Sequence, residues 1–393
     1  KQSNDFTTHE ELARFFIETE GHNIIYNQDD LIFHFNESTG MWEKDHIKTL
    51  GHLHKKISKT ISEFCVDYIA DTNKEIEEMM ELPDDEVDKK KLANLCGLLK
   101  DLGKLAYQIK NVNLSNNVIT MVKRQLSIEQ PEIKFDMNPN LFSFENITFD
   151  LTTGKSVIPK REDYQSNHCG YAYEESSKEE REFVEQNVLN TIFPVEEVRD
   201  YYKRLLCTGL YGKNPQKFIM AFGKGGNGKG ILHGLMLASC GRYGIKGNAD
   251  IFLNEKTRGA NPELANLHKK RFAVFDEPAT GKQINTAFMK EMTGGEIISA
   301  RACYSNDTEV ILHLTPFLET NEVNSLGGSK LGDAEKRRIN NIEFVSSFYE
   351  QDKYELAKKA GRKYVFPTNP EFGDNAFKEK YKIALFDILL EKS

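Results

Sequence analysis

The strongest constraint on the fold lies between residues 218 and 236. Phe218-Ile219-Met220-Ala221-Phe222 is an unbroken apolar run of strand length. It passes directly into Gly223-Lys224-Gly225-Gly226-Asn227-Gly228-Lys229-Gly230, and then into Ile231-Leu232-His233-Gly234-Leu235-Met236, which reads as a helix. Strand, glycine loop and helix in that order is the context a GxxxxGK match requires. Glycines let successive backbone N–H groups turn inward around phosphate oxygens, where a side chain would block the approach. The helix start adds its partial positive charge. Lys229 would then reach the terminal phosphates of a nucleotide. A plain glycine-rich turn is the competing reading. The residue after the lysine normally offers a hydroxyl to Mg²⁺, and here it is Gly230.

A second apolar run, Arg271-Phe272-Ala273-Val274-Phe275, ends in Asp276-Glu277. In phosphate-loop enzymes an acid at such a strand end holds the Mg²⁺ shell, and a following Glu polarises the attacking water. A strand that merely ends in exposed acids is the alternative. Residues 290–301 read KEMTGGEIISAR, and apolar runs flank Ser305-Asn306-Asp307, which predicts a β-hairpin with a polar tip. Pro316-Phe317-Leu318-Glu319-Thr320-Asn321 is a strand ending in an amide able to hydrogen-bond a γ-phosphate or the attacking water. Arg337-Arg338 is either a surface pair or a source of positive charge for a transferring phosphoryl group.

Around this centre the chain changes character several times. Glu11 to Ile17 reads as an amphipathic helix, and residues 31–42 as strand, turn, strand. Residues 71–91 carry nine acids and four lysines around Pro83, the composition of a solvated surface. A helical stretch follows from Leu92 to about Leu126, and turn signals between short apolar runs make 135–160 a small β-rich segment. The pattern from Lys178 to Leu210 is helical with a break at Pro194, and Tyr364 to Leu390 reads as a strand and a helix. These shifts predict three parts: a mixed α+β module over 1–177, a catalytic core over 178–345, and a closing segment over 346–393.

Composition narrows the partners. With 60 acidic against 52 basic side chains, the net charge of -8 excludes a uniformly basic nucleic-acid coat. The six cysteines lack metal-ligand or CxxC spacing, so reduced thiols in an intracellular protein are expected. No apolar run is long enough to span a membrane, and no targeting segment is visible. The chain starts at Lys1 rather than Met, as a piece of a longer polypeptide would.

The order of motifs resembles a superfamily 3 helicase: GxxxxGK, the Asp-Glu strand end, the KxxTGGE…R hairpin, the Thr-Asn strand end and the arginine pair, all within 223–344. More narrowly, it is similar to the poxvirus-type primase-helicases of large DNA viruses, phages and mobile elements. Asn261 to Leu267 before the Asp-Glu strand, Phe135 to Pro139 and Asp163-Tyr164 carry that narrower resemblance. The resemblance implies an α/β fold: an AAA+-type P-loop ATPase core with a mixed α+β N-terminal domain and a helical lid. It implies a hexameric ring that moves along single-stranded DNA during genome replication, at a viral replication site in the host cell. ATP with Mg²⁺ would bind between subunits. The loop Gly223, Gly225, Gly226, Asn227, Gly228, Lys229 and Gly230 would cradle its phosphates, and Asp276 would hold the metal. Lys229, Asp276, Glu277 and Asn321 would act in cis, with Arg337 or Arg338 reaching in from a neighbour. The hairpin would line the pore, with Lys290, Arg301 and Tyr304 near the DNA. Two features depart from the family pattern: Gly230 replaces the hydroxyl, and the hairpin tip carries Asp307 and Glu309 where a base is usual.

The leading expectation is therefore an ATP-dependent helicase acting on forked duplex DNA. An ATP-assembled origin-binding or loading ring with little unwinding is the alternative, and a small-molecule phosphotransferase is a third. Relatives often carry a primase or polymerase domain ahead of this region. Residues 1–393 show no carboxylates of that kind, so no nucleotidyl transfer is expected from them.

Overall fold

A computed structural model describes residues 8–27, 31–45, 50–83, 85–130, 133–252, 262–277, 284–294, 297–301, 307–321 and 332–391. The chain forms two compact units, Lys1–Phe135 and Asp136–Ser393.

The first unit is a helical layer with a small antiparallel sheet. Its elements are α1 (His9–Glu20), β1 (Ile24–Tyr26), β2 (Ile32–Asn36), β3 (Met41–Lys44), α2 (Gly51–Met80), α3 (Lys89–Gln108) and α4 (Val112–Glu129). Thr8 and Glu11 cap α1 reciprocally, each side chain bonding the other's backbone N–H. The long α2 buries Leu53, Ile57, Ile61 and Cys65, one residue per turn along a single stripe. The helix expected over 92–126 is two helices. Asn111 starts the second by accepting from the Asn113 N–H, and Ile109 ends the first.

The second unit opens with β4 (Leu141–Ser143), β5 (Thr148–Asp150) and β6 (Lys155–Val157), followed by α5 (Lys178–Val184), α6 (Asn190–Ile192) and α7 (Glu196–Thr208). A π-helical turn over Glu185–Leu189 joins α5 to α6. Then come β7 (Phe218–Phe222), α8 (Lys229–Cys240), β8 (Gly244–Gly247), α9 (Pro262–Ala265), β9 (Phe272–Phe275), α10 (Thr286–Gly294), β10 (Ile297–Arg301), β11 (Asp307–Ile311) and β12 (Thr315–Thr320). The chain closes with α11 (Asp333–Arg338), β13 (Ile339–Glu343), β14 (Ser347–Tyr349), α12 (Gln351–Lys359), β15 (Val365–Pro367) and α13 (Asn375–Leu390).

Five of these strands make a wholly parallel sheet in the order β13-β7-β12-β9-β8. Both faces are covered, which is why β7 and β9 read as continuous apolar runs rather than alternating ones. Ile219 and Ala221 pack toward the side of α8 and α13, while Phe218 and Met220 pack toward α10. The chain leaves β7 toward the β8 edge and later returns from β12, across β7, to β13. Such a reversal opens a crevice at the carboxyl ends of the strands, where ligands of α/β sheets bind.

The division between units falls at Phe135/Asp136, well before the boundary expected near residue 178. The cause is aromatic packing across the sequence. Phe142 of β4, Phe144 just after it and Phe149 of β5 surround Phe386 of α13 at 5.0, 4.9 and 5.5 Å between ring centroids. Asp387, the next residue, accepts from the Tyr173 hydroxyl at 3.1 Å and the Ser176 N–H at 3.0 Å. Residues 136–177 and the last helix therefore share the core of the second unit. The segment after 345 is not purely helical either, since β14 and β15 pair in parallel. Among the described residues, no helix is long and apolar enough to cross a membrane.

Candidate active site

The glycine loop leaves β7 at the carboxyl edge of the sheet and ends where α8 begins. Gly223, Gly226 and Gly228 have φ of 144°, 75° and 86°, values that side chains resist. A Cβ on Gly223 would lie 2.6 Å from Asn227 Nδ2, and one on Gly228 would lie 2.6 Å from Ile192 Cγ1. Gly225 and Gly230 have open space instead. The loop is tied at both ends: Gly223 N–H donates to Thr320 O at 3.2 Å, and Phe348 N–H to Gly226 O at 2.8 Å.

Lys229 is buried and its amine donates to Gly223 O at 2.5 Å. Burial holds that amine below the ordinary lysine range, against the pull of Glu319 and Glu277. Asn227 is 4% exposed; its Oδ1 accepts from Lys229 N–H at 3.3 Å, while its buried Nδ2 has no partner. Buried amide donors are normally satisfied, so an orphan inside a glycine cradle at a helix start fits an anion in that place.

Across the strand ends, the predicted acids occupy the same edge, because Leu318 is in register with Phe275 and Thr320 with Phe222. Glu277 accepts from Asn321 N–H at 2.9 Å, Asn321 Nδ2 at 2.6 Å and the Thr320 hydroxyl at 3.2 Å. The structure thus brings Glu277 and Asn321 together. Asp276 pairs with Lys246 at 3.1 Å, and both side chains are more than half exposed. An exposed carboxylate at this strand end is a ligand of the hard-oxygen type that Mg²⁺ takes.

The arginine pair stands elsewhere. Arg337 and Arg338 end α11 just before Ile339, which is in register with Phe218 at the opposite end of β7 from the loop. The intervening strand is about 15 Å long. Arg337 is exposed; Arg338 donates to Ala334 O at 3.2 Å, and its buried Nε has no partner. Lys290 pairs with Glu335 of α11 at 2.9 Å. β10 and β11 form the expected antiparallel hairpin, with Arg301 opposite Asp307. The side chains of Arg301, Asp307 and Glu309, and all of Tyr304, lie outside the described residues, as do Gly295 and Glu296 of the hairpin motif.

Sequence reasoning missed two groups of residues here. The first is a chain of buried polar contacts: the Tyr202 hydroxyl meets His233 Nε2, and His233 Nδ1 meets Glu319 Oε1 at 2.6 Å. Its signal was legible, since Glu319 is the only charged residue in an otherwise apolar strand and His233 lies on an apolar helix. The second is a cavity of about 180 Å³ beside Gly226 and Gly228, walled by Val188, Ile192, Ile231, Phe348 and Phe372. Asn187, Thr368 and Asn369 give it polar edges. The π-helical turn brings Asn187 and Val188 into it, and no local pattern announces that turn.

Residues 13–194 match the family described as "D5 N terminal like". The chain is 35% identical over 251 residues to the protein named "Putative helicase L207/L206" of Acanthamoeba polyphaga mimivirus, covering 62% of this chain and 25% of that protein. It is 26% identical over 274 residues to "Primase D5" of Fowlpox virus, covering 66% of this chain and 34% of that protein. It thus spans a quarter to a third of the length of these relatives. Among solved structures, the apo C-terminal region of NrS-1 aligns over 70% of this chain and 60% of that chain, with 13% identity and a TM-score of 0.42.

Proposed function

Because the chain belongs to the poxvirus-type primase-helicase family of large DNA viruses, we propose that its second unit is the ATP-hydrolysing motor of a replicative DNA helicase, with an AAA+-type P-loop core. The observation that carries this reading is the facing pair at the sheet edge. A glycine cradle with a buried lysine and an orphan amide stands opposite a carboxylate fixed by the strand-end Asn321.

Each side chain has a role that its position supports. The loop N–H groups and Asn227 Nδ2 bind the phosphates. Lys229 leaves Gly223 O and moves its amine onto the terminal phosphates, where burial strengthens the attraction. The apolar cavity beside Gly228 receives the base between Ile192 and Phe348, with Asn187 and Asn369 at its edge. Asp276 would hold Mg²⁺, which neutralises charge developing on the phosphates. With Gly230 in place of the usual hydroxyl, the loop would offer Mg²⁺ no side-chain oxygen. Glu277 orients the attacking water once Asn321 releases one carboxylate oxygen, and Asn321 then faces the γ-phosphate.

Arg337 and Arg338 are too far along the sheet to serve their own loop, so the reading places one of them in a neighbour's site. That requires a homo-oligomer, a hexameric ring by family resemblance, for which Lys290, Arg301 and Tyr304 are the proposed contacts to single-stranded DNA. A net charge of -8 is compatible with this, because only the pore needs positive charge.

The test is strand release from a forked duplex with ATP, using Lys229→Ala and Asp276→Ala controls. Release by the wild type and its loss in both variants is expected. A second reading, an ATP-assembled loading ring, is favoured by Gly230 and by the full set of hydrogen bonds on Glu277. ATP-dependent ring assembly without strand release would select it.

A further inference from the structure

The contacts of Tyr202, His233 and Glu319 have no place in the roles above. His233 is 1% exposed and sits one turn beyond Lys229 on α8, so the two side chains share a side of the helix. Glu319, in register with Ala221, projects to the same side of the sheet. His233 Nδ1 holds Glu319 Oε1 at 2.6 Å, and the Tyr202 hydroxyl holds the ring from behind at Nε2. Only one oxygen of the carboxylate is engaged by that contact, and the Glu319 side chain keeps 20% of its surface open.

We propose that Glu319 is the resident counter-ion of Lys229, a positioning residue fixed by His233 and Tyr202 that sets a negative charge on the amine's side of the sheet while Gly223 O parks the amine in the empty site. The proposal deepens the nucleotide reading and rests on it for its purpose. A buried lysine tends to lose its proton. The groups acting on it are Glu319 from β12 and Glu277 from the end of β9, of which Glu319 exerts the larger pull. Glu319 in turn faces His233 and Lys229 of α8 and Lys246 of β8. Burial opposes its charge, yet the His233 hydrogen bond and these cations hold its carboxyl below the ordinary range. A neutral lysine would lose the charge that recruits phosphate. A carboxylate on the same side of the helix opposes that loss, and phosphate then takes over the amine.

The experiment measures the pH profile of Lys229 reactivity toward an amine-acylating reagent, read by peptide mass spectrometry on the full nucleotide-free chain. Glu319→Gln keeps the shape and still accepts from His233. Its Lys229 profile is expected to move to lower pH, with about threefold to tenfold more reactive amine on the rising limb. His233→Gln should move it in the same direction by less. Local unfolding would move the profile the other way, toward an ordinary exposed lysine. A profile unchanged or raised in Glu319→Gln therefore overturns the proposal. ATP added to the wild type provides a separate arm. If ATP fails to protect Lys229 while Glu319→Gln still shifts the profile, the nucleotide reading fails and the counter-ion assignment stands.

Discussion

At the scale of single residues, the glycine loop makes the sharpest claim, because its five glycines are not equivalent. Gly228→Ala meets both a φ of 86° and Ile192 Cγ1 at 2.6 Å. It should cost about 2 kcal/mol or more in urea unfolding and abolish nucleotide binding. Gly230→Ser meets open space at the start of α8 and should leave stability within about 0.5 kcal/mol. Its new hydroxyl stands where Mg²⁺ is usually held, so the Mg²⁺ concentration needed for half-maximal hydrolysis should fall. Glu277→Gln should retain ATP binding and lower turnover about 100-fold or more. The sequence pattern reached Lys229, Glu277 and Asn321 because strand, loop and strand end are local signals. It did not reach the His233–Glu319 contact, which joins a helix to a strand 86 positions away.

At the scale of elements, the hairpin of β10 and β11 is anchored by a histidine. His268 Nδ1 accepts from the Ile311 N–H at 3.2 Å, and the Lys269 N–H returns to Ile311 O at 3.1 Å. A protonated ring could not accept. Burial, with Lys269 and His313 nearby, pushes the His268 pKa down to about 4 from an ordinary 6.5. Below pH 6.5 the unfolded chain takes up a proton that the folded chain refuses, so stability falls as pH drops from 6.5 toward 4. On the order of 2 kcal/mol is at stake, allowing for partial exposure. Denaturant midpoints at pH 7 and pH 5 should differ accordingly, and His268→Gln should flatten the difference. His313, also pushed down by burial, adds in the same direction. The hairpin itself was legible from the apolar runs on either side of its turn. Its anchor was not, since a lone histidine after α9 carries no period.

At the scale of the whole molecule, the second unit is closed by its two ends. The strands β4 and β5 and the helix α13 share one aromatic cluster, and Ser176 bonds Asp387 across 211 positions. Such contacts leave no local trace, which is why the sequence patterns predicted a boundary near 178. A fragment of residues 136–393 should unfold in one cooperative transition, whereas residues 178–345 alone should show no near-ultraviolet circular dichroism of packed aromatics. Assembly supplies the other prediction at this scale. Arg337→Ala and Lys229→Ala should each lower hydrolysis about 100-fold or more. Mixing the two proteins should restore part of it, because some interfaces then pair an intact loop with an intact arginine. No restoration would overturn the placement of the arginine in a neighbour's site. The closure by α13 also sets a timetable for synthesis. Strands and helices of the second unit emerge from the ribosome long before Phe386, and a core that waits for α13 leaves apolar surface open meanwhile. The exposed interval scales with translation speed, so slowing elongation ahead of α13 should lengthen the window in which chaperones or proteases intercept the nascent second unit.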